Sequence, residues 1–161
     1  MPLDVAQLAK LIESQGASLR LWVRSRCASC EDVVQEAFCR LAAADPPPDN
    51  PVAWLYRVCR NLAGKQRLSD NRRREREQAW AQLEVATSDQ TDSIEIGETL
   101  AAVEELDNEL REVLVARVWG QLSLEEVARL CGVSTATAFR RYEAALKSLR
   151  SKLESKCENQ R

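Results

Sequence analysis

A chain of 161 residues has room for one domain or two small ones, and 45% hydrophobic residues suffice for small cores. It contains no histidine and no glycine-rich phosphate loop, which excludes Ser-His or Cys-His nucleophilic pairs and the common nucleotide cradles and weakens enzyme readings. The net charge is only −2, from 23 basic and 25 acidic residues, so a polyanionic partner must be met by a local concentration of charge.

With five glycines and five prolines, helical stripes throughout and no sustained period-two alternation, the sequence predicts an all-α protein. No apolar run approaches 18 residues, so no membrane insertion is expected. The first residues, MPLDVAQLAKLIES, lack the basic and apolar regions of a signal peptide, and a cytoplasmic location is expected.

The first helix is predicted over about Asp4–Arg26, loosened at Gly16. A second starts at Ser29 as N-cap, with Glu31 and Asp32 in its first turn. Val33, Val34, Ala37, Phe38 and Leu41 form its buried stripe. It must end before Asp45-Pro-Pro-Pro-Asp-Asn-Pro51, because proline removes a helix donor and restricts the residue before it. The third helix starts at Pro51, a favoured first-turn position.

From Pro51 to Arg76 the chain carries eight Lys or Arg residues against Asp70 and Glu75 alone. Leu55, Val58, Cys59 and Leu62 follow i, i+3, i+4, i+7 spacing and share one apolar face. Arg57, Arg60, Asn61 and Gly64 fall opposite, flanked by Tyr56 and Lys65. An aromatic, an amide and cations on one face suit unstacked bases and phosphates, although a solvated amphipathic helix carries the same pattern.

Charge then divides the chain. Residues 1–80 carry net +3, residues 81–110 carry nine acids and no base, and residues 111–161 carry net +4. The polar centre of the acidic stretch, Ala86–Ser93, reads as a flexible linker. Three segments are predicted: a helical domain over 1–80, an acidic linker over 81–100 and a second helical domain over 101–157.

The second domain begins with a helix over about Asp107–Trp119 that ends at Gly120. Ser123-Leu-Glu-Glu126 is a capping box opening a short helix through Leu130. After the turn Cys131-Gly132-Val133, Ser134 caps a long helix through Leu153. A short helix, a glycine turn and a capped second helix make a helix-turn-helix, whose second helix lays its N-terminal residues in the DNA major groove. Ala138, Tyr142, Ala145 and Leu149 are its expected buried side. Phe139 could touch a thymine methyl, but Phe139, Leu146, Leu149 and Leu153 continue a 3-4 stripe, and core packing is expected.

Cys39, Cys59 and Cys131 fall in apolar patterns and read as small buried hydrophobes. Cys27-Ala-Ser-Cys30 is a lone CxxC. A helix N-terminus could activate it as a redox pair, and a zinc site would need two distant ligands. The spacing rule instead reads these as incidental thiols, and neither metal nor cofactor is expected.

Both halves together resemble the bacterial sigma-70 family of RNA polymerase sigma factors, extracytoplasmic-function group, over about residues 10–153. Glu31-Asp-Val-Val-Gln-Glu-Ala-Phe38 resembles the region 2.2 helix. Pro51-Val-Ala-Trp-Leu-Tyr-Arg-Val-Cys-Arg-Asn-Leu-Ala63 resembles regions 2.3 and 2.4, and Gly120 to Ser134 with the following helix resembles region 4.2. The resemblance implies a transcription initiation factor that binds core RNA polymerase, at the β′ clamp helices and the β flap, and carries it to promoter DNA. It implies polymerase docking through Asp32, Gln35, Glu36 and Arg40. It implies −10 element contacts through Tyr56, Arg57, Arg60, Asn61, Lys65, Arg67, Arg72, Arg73 and Arg74, beside a base pocket shaped by the Asp45–Asn50 loop. It implies −35 element contacts through Ser134, Thr135, Thr137, Arg140, Arg141 and Lys147. An anti-sigma factor partner and a free monomer follow from the same resemblance. Lys65, Phe139, Glu143 and Ala144 depart from the family's pattern.

Two other readings remain at this point. A sigma-like adaptor would sequester an anti-sigma factor without touching DNA, and should lack the basic face. A plain helix-turn-helix regulator would bind DNA without polymerase.

Overall fold

A computed structural model describes residues 3–24, 26–77 and 94–158, with side-chain surroundings described for 3–24, 26–72 and 99–155. Seven helices occupy these residues: α1 (Val5–Val23), α2 (Cys30–Ala42), α3 (Pro51–Glu77), α4 (Ile94–Glu104), α5 (Asn108–Val118), α6 (Leu124–Cys131) and α7 (Thr135–Glu158). The protein is all-α, and α1–α3 form one helical module while α4–α7 form the other.

Local chemistry sets the helix ends. Asp4 and Gln7 make a capping box at α1, which runs unbroken through Gly16 rather than loosening there, and stops at Val23. Val33, Val34, Ala37, Phe38 and Leu41 of α2 are all buried, as its stripe requires. Asn50 opens α3, its Oδ1 accepting from the Ala53 N–H at 3.0 Å. Ser123 and Glu126 form the second capping box: the Ser123 N–H donates to Glu126 at 2.8 Å and the Glu126 N–H to Ser123 Oγ at 3.1 Å. Gly132 ends α6 at φ +68°, a left-handed conformation that glycine adopts without steric penalty. Ser134 Oγ accepts from the Thr137 N–H at 3.1 Å and starts α7.

Helix α4 overlaps the segment read as linker. The centre of that segment, Ala86–Ser93, lies outside the described residues, but the chain is helical from Ile94. Ala102 and Val103 are fully buried, and α4 packs on α7. Residues 94–100, read as linker, are therefore helical.

The two modules share a core. Helix α1 packs on α5 and α3 on α6, and one continuous set of buried side chains runs from Leu19, Trp22 and Leu55 to Val113, Leu114 and Val127. Arg111 is buried within the second module. Its guanidinium donates to the Glu104 carbonyl at 2.8 Å and to Asn108, and burial lowers its pKa.

Candidate nucleic-acid interface

Helix α3 presents its cations on a side only partly open to solvent. Arg57, Asn61, Lys65, Arg67 and Arg72 are exposed, and Arg60 is half-buried. Arg73 and Arg74 continue the helix, and their side chains lie outside the described set. A trough of about 520 Å³ runs along this face, lined by Arg26, Arg40, Arg60, Asn61, Lys65 and Leu68. It brings together cations from three elements: the α1–α2 connection, α2 and α3.

Tyr56 stands elsewhere than its flanking position on the wheel suggests. It is 0% exposed, its ring edge-on to Trp22 with centroids 5.1 Å apart. Its hydroxyl donates to Ser18 Oγ at 3.1 Å, and Ser18 in turn donates to the Gln15 carbonyl at 2.9 Å. Burial pushes its pKa up to about 12. The second module adds to this packing. Gly120 lies on the Tyr56 ring so closely that a Cβ there would come within 3.0 Å of it. In this arrangement Tyr56 is a core residue and cannot stack on a base.

Other polar ties cross between the modules. Arg60 donates to the carbonyl of Leu130 at the end of α6. Asn50 Nδ2 donates to Glu126 at 2.9 Å, and Gln15 Nε2 to the Trp119 carbonyl at 3.2 Å. Arg24 pairs with Glu104 and Arg26 with Glu112. The backbone N–H of Ser123, aided by Asn50, holds the Glu126 carboxyl below its usual range. A cleft of about 880 Å³ lies along this seam, bounded by Asn50, Arg57, Arg60, Glu126 and Arg129.

On the second module, Ser134, Thr135 and Arg140 are exposed near the start of α7 and Lys147 midway along it, and Thr137 is half-buried. Arg141 pairs with Glu109 of α5 at 2.8 Å. Ala138 and Ala145 are fully buried, with Tyr142 and Leu149 packed against the same core. Phe139 is 45% exposed rather than in the core, because α5 and α6 cover only the Ala138–Ala145 arc and leave the neighbouring stripe facing out. On α2, Asp32, Gln35, Glu36 and Arg40 are all exposed on one face, and Arg40 pairs with Glu36 at 2.7 Å.

Burial pushes Cys27 up to about 12, helped by the neighbouring Cys30, which disfavours the reactive thiolate. Cys39 is exposed rather than buried, whereas Cys59 and Cys131 are buried. Among the described residues no cluster of three or more His, Cys, Asp or Glu side chains is placed to hold a metal ion, and no helix is long and apolar enough to cross a membrane.

Comparison with known proteins bears on this geometry. The sigma-70 region 2 family model matches residues 11–74, and the sigma-70 region 4 model matches residues 96–149. The chain is 34% identical over 131 residues to the ECF RNA polymerase sigma factor EcfG of Rhodopseudomonas palustris, covering 76% of this chain and 68% of that protein. The chain belongs to the sigma-70 family, in its extracytoplasmic-function group. Two solved structures share the fold. The sigma factor RpoE of Bartonella quintana, crystallised with the anti-sigma factor NepR, aligns with a TM-score of 0.65 and 24% identity, over 91% of this chain and 95% of that one. CnrH, in complex with the cytosolic domain of CnrY, aligns with a TM-score of 0.55 and 22% identity, over 94% and 90% of the two chains. The region 2 match falls on α1–α3 and the region 4 match on α4–α7, so this sigma factor's two matched regions coincide with its two helical modules.

Proposed function

We propose that this sigma factor binds core RNA polymerase through the exposed α2 face, opens and reads the −10 element with α3, and reads the −35 element with α7. The domains run over 1–80 and 101–157 as first read, with α4 added to the second. The observation that carries this reading is the match of the region 2 and region 4 models, in that order, to the module with the basic helix and the module with the helix-turn-helix.

In this reading Asp32, Gln35, Glu36 and Arg40 dock on the polymerase β′ clamp helices, and the second module reaches the β flap. Asn61 and Lys65 meet unpaired −10 bases, and Tyr56 can join them only if Gly120 withdraws from its ring. Arg57, Arg60, Arg67, Arg72, Arg73 and Arg74 grip phosphates, which positions the strand without reading sequence. Ser134, Thr135, Thr137, Arg140, Arg141 and Lys147 enter the major groove, with Phe139 now free to lie against a thymine methyl. The free protein is a monomer in the cytoplasm, and an anti-sigma factor holds it inactive.

Runoff transcription with core enzyme and a promoter library tests the reading: one or more promoters should give a product that depends on this protein. Absence of product from every promoter would sink it. A gel shift separates the plain-regulator alternative, because a sigma factor binds promoter DNA well only with core enzyme.

A further inference from the structure

Helix α7 offers a DNA groove fewer unengaged side chains than its composition suggests. The Ser134 hydroxyl donates to Thr137 Oγ1 at 2.9 Å and accepts from the Thr137 N–H, so both residues are occupied in starting the helix. Arg141 is held by Glu109 of α5. Ala136, Phe139, Arg140 and Glu143 are all exposed, and their i, i+3, i+4, i+7 spacing puts them on one face, turned away from the buried Ala138 and Ala145. Two members of this stripe are unusual for a surface that meets a polyanion. Phe139 is 45% exposed, and among the described residues no other aromatic side chain is so open. Glu143 has no ion pair or hydrogen bond among the described residues, although Arg140 and Lys147 stand within one turn of it on the same helix.

We propose, resting on the −35 reading of α7, that Phe139 and Glu143 set the −35 sequence: Phe139 packs on a thymine C5-methyl, and Glu143 accepts from a cytosine N4 amine. Thymine's methyl is the one apolar group that a base pair shows in the major groove, and cytosine's amine is a donor there for a carboxylate. Adenine also shows an amine, but beside an N7 acceptor that repels a carboxylate. Phosphates repel Glu143 at every site, so it weakens binding wherever the base supplies no donor, and thus rejects sequences as well as selecting them. Both residues are departures from the family's pattern, so the sequence they select is a property of this chain. Phe139 and Glu143 are four residues apart, about 6 Å along the helix axis at 1.5 Å per residue. At 3.4 Å per base step, that separation places the thymine and the cytosine within about two base pairs of each other. Arg140 lies between them as the one cation of the stripe.

The test uses the full chain with core enzyme. Productive promoters from the runoff library are sequenced across the −35 region for wild type, Phe139→Ala and Glu143→Gln. Wild type should select a thymine and a cytosine within about two base pairs. Glu143→Gln should exchange the cytosine for adenine, because an amide pairs with adenine N6 and N7 together, and should leave the thymine in place. A second arm needs no variant. Deoxyuridine replaces the selected thymine in a promoter duplex, which removes one methyl and keeps the base pair. Wild-type holoenzyme should bind that duplex about threefold to fivefold more weakly, as the loss of one methyl contact implies. Phe139→Ala holoenzyme should bind both duplexes equally. Deoxyuridine that costs wild type nothing, or costs both forms alike, overturns the role of Phe139. Glu143→Gln promoters that keep the cytosine overturn the role of Glu143, and a wild-type preference without the thymine and cytosine at this spacing overturns both. A −35 preference indifferent to either substitution leaves the α7 reading standing and removes this inference alone. Productive promoters with no −35 preference at all overturn the α7 reading with it.

Discussion

On α7, Arg140 and Lys147 stand exposed along a capped helix whose opposite side is packed. On α3, Arg60 is spent on a carbonyl of the other module and Tyr56 is sealed beneath Gly120. The two basic helices have similar sequence character, but on α3 Arg60 and Tyr56 are engaged while Arg57, Lys65, Arg67 and Arg72 stay exposed. The difference arises from what each packs against. Helix α7 covers its own module's core, while α3 has a second side that the neighbouring module uses. In this arrangement the first turns of α7 are open, whereas Arg60 and Tyr56 of α3 are held by the other module.

The strongest break of this comparison is Trp22→Ala. Trp22 is fully buried and supports Tyr56, so its loss should destabilise the chain by about 3–5 kcal/mol. Because the core is continuous, thermal unfolding should show one transition shifted down rather than two separate ones. Two transitions would mean that the modules are energetically independent.

Alkaline pH should come next. Burial raises Cys27 and Cys59 from 9.0 to about 12 and Tyr56 from 10.0 to about 12, while Cys131 rises to about 11. A folded value above the unfolded one gives stability that is full below pH 9 and lost as pH climbs towards 12. Denaturant midpoints should fall steadily above pH 9, mostly through first-module groups; a flat profile would show that these side chains are not sealed. The acid side has the opposite sign. Glu126 is lowered from 4.5, so its contribution to the seam holds above that value and fades as pH drops through the lower folded one.

Smaller effects sharpen the contrast between the helices. Arg60→Ala removes the partner of the Leu130 carbonyl and should destabilise by about 1 kcal/mol. Tyr56→Phe removes the bond to Ser18 and should cost about 1 kcal/mol or slightly less, with the ring packing kept. Arg140→Ala should leave the midpoint within about 0.5 kcal/mol of wild type, yet weaken promoter binding by the holoenzyme. Equal destabilisation by Arg60→Ala and Arg140→Ala would remove the distinction between an engaged and a presented cation.

The elements with local signals were legible in the sequence. Ser123, Ser134, Gly132 and the stripe of α2 each carry a rule that needs no tertiary information. Helix α4 was hidden because its residues lie in a stretch with nine acids and no base, a composition that reads as linker over residues 81–100. Tyr56 was misplaced because a helical wheel assigns one buried face, and α3 has two. Phe139 was misplaced for the converse reason: a 3-4 stripe marks what could be buried, and α7 buries only one arc. The seam itself left no pattern, since two of its ties end on backbone carbonyls, which every residue has. Among candidate site residues, Arg57 and Asn61 of α3 were readable from spacing, while the outward face of α2 came only from the family resemblance. The addition of Arg26 and Arg40 to the trough was not readable, because they come from other elements.

Asn50 uses both ends of one amide. Its oxygen starts α3 and its nitrogen ties α3 to Glu126 of the other module. Hydrolysis of that amide to Asp would keep the cap and set two carboxylates against each other. The usual route to such chemical ageing is attack on the side-chain amide by the nitrogen of the next residue, and here that residue is Pro51, whose nitrogen carries no hydrogen. The residue that opens the helix thereby also protects the contact between the modules from decaying with the age of the molecule.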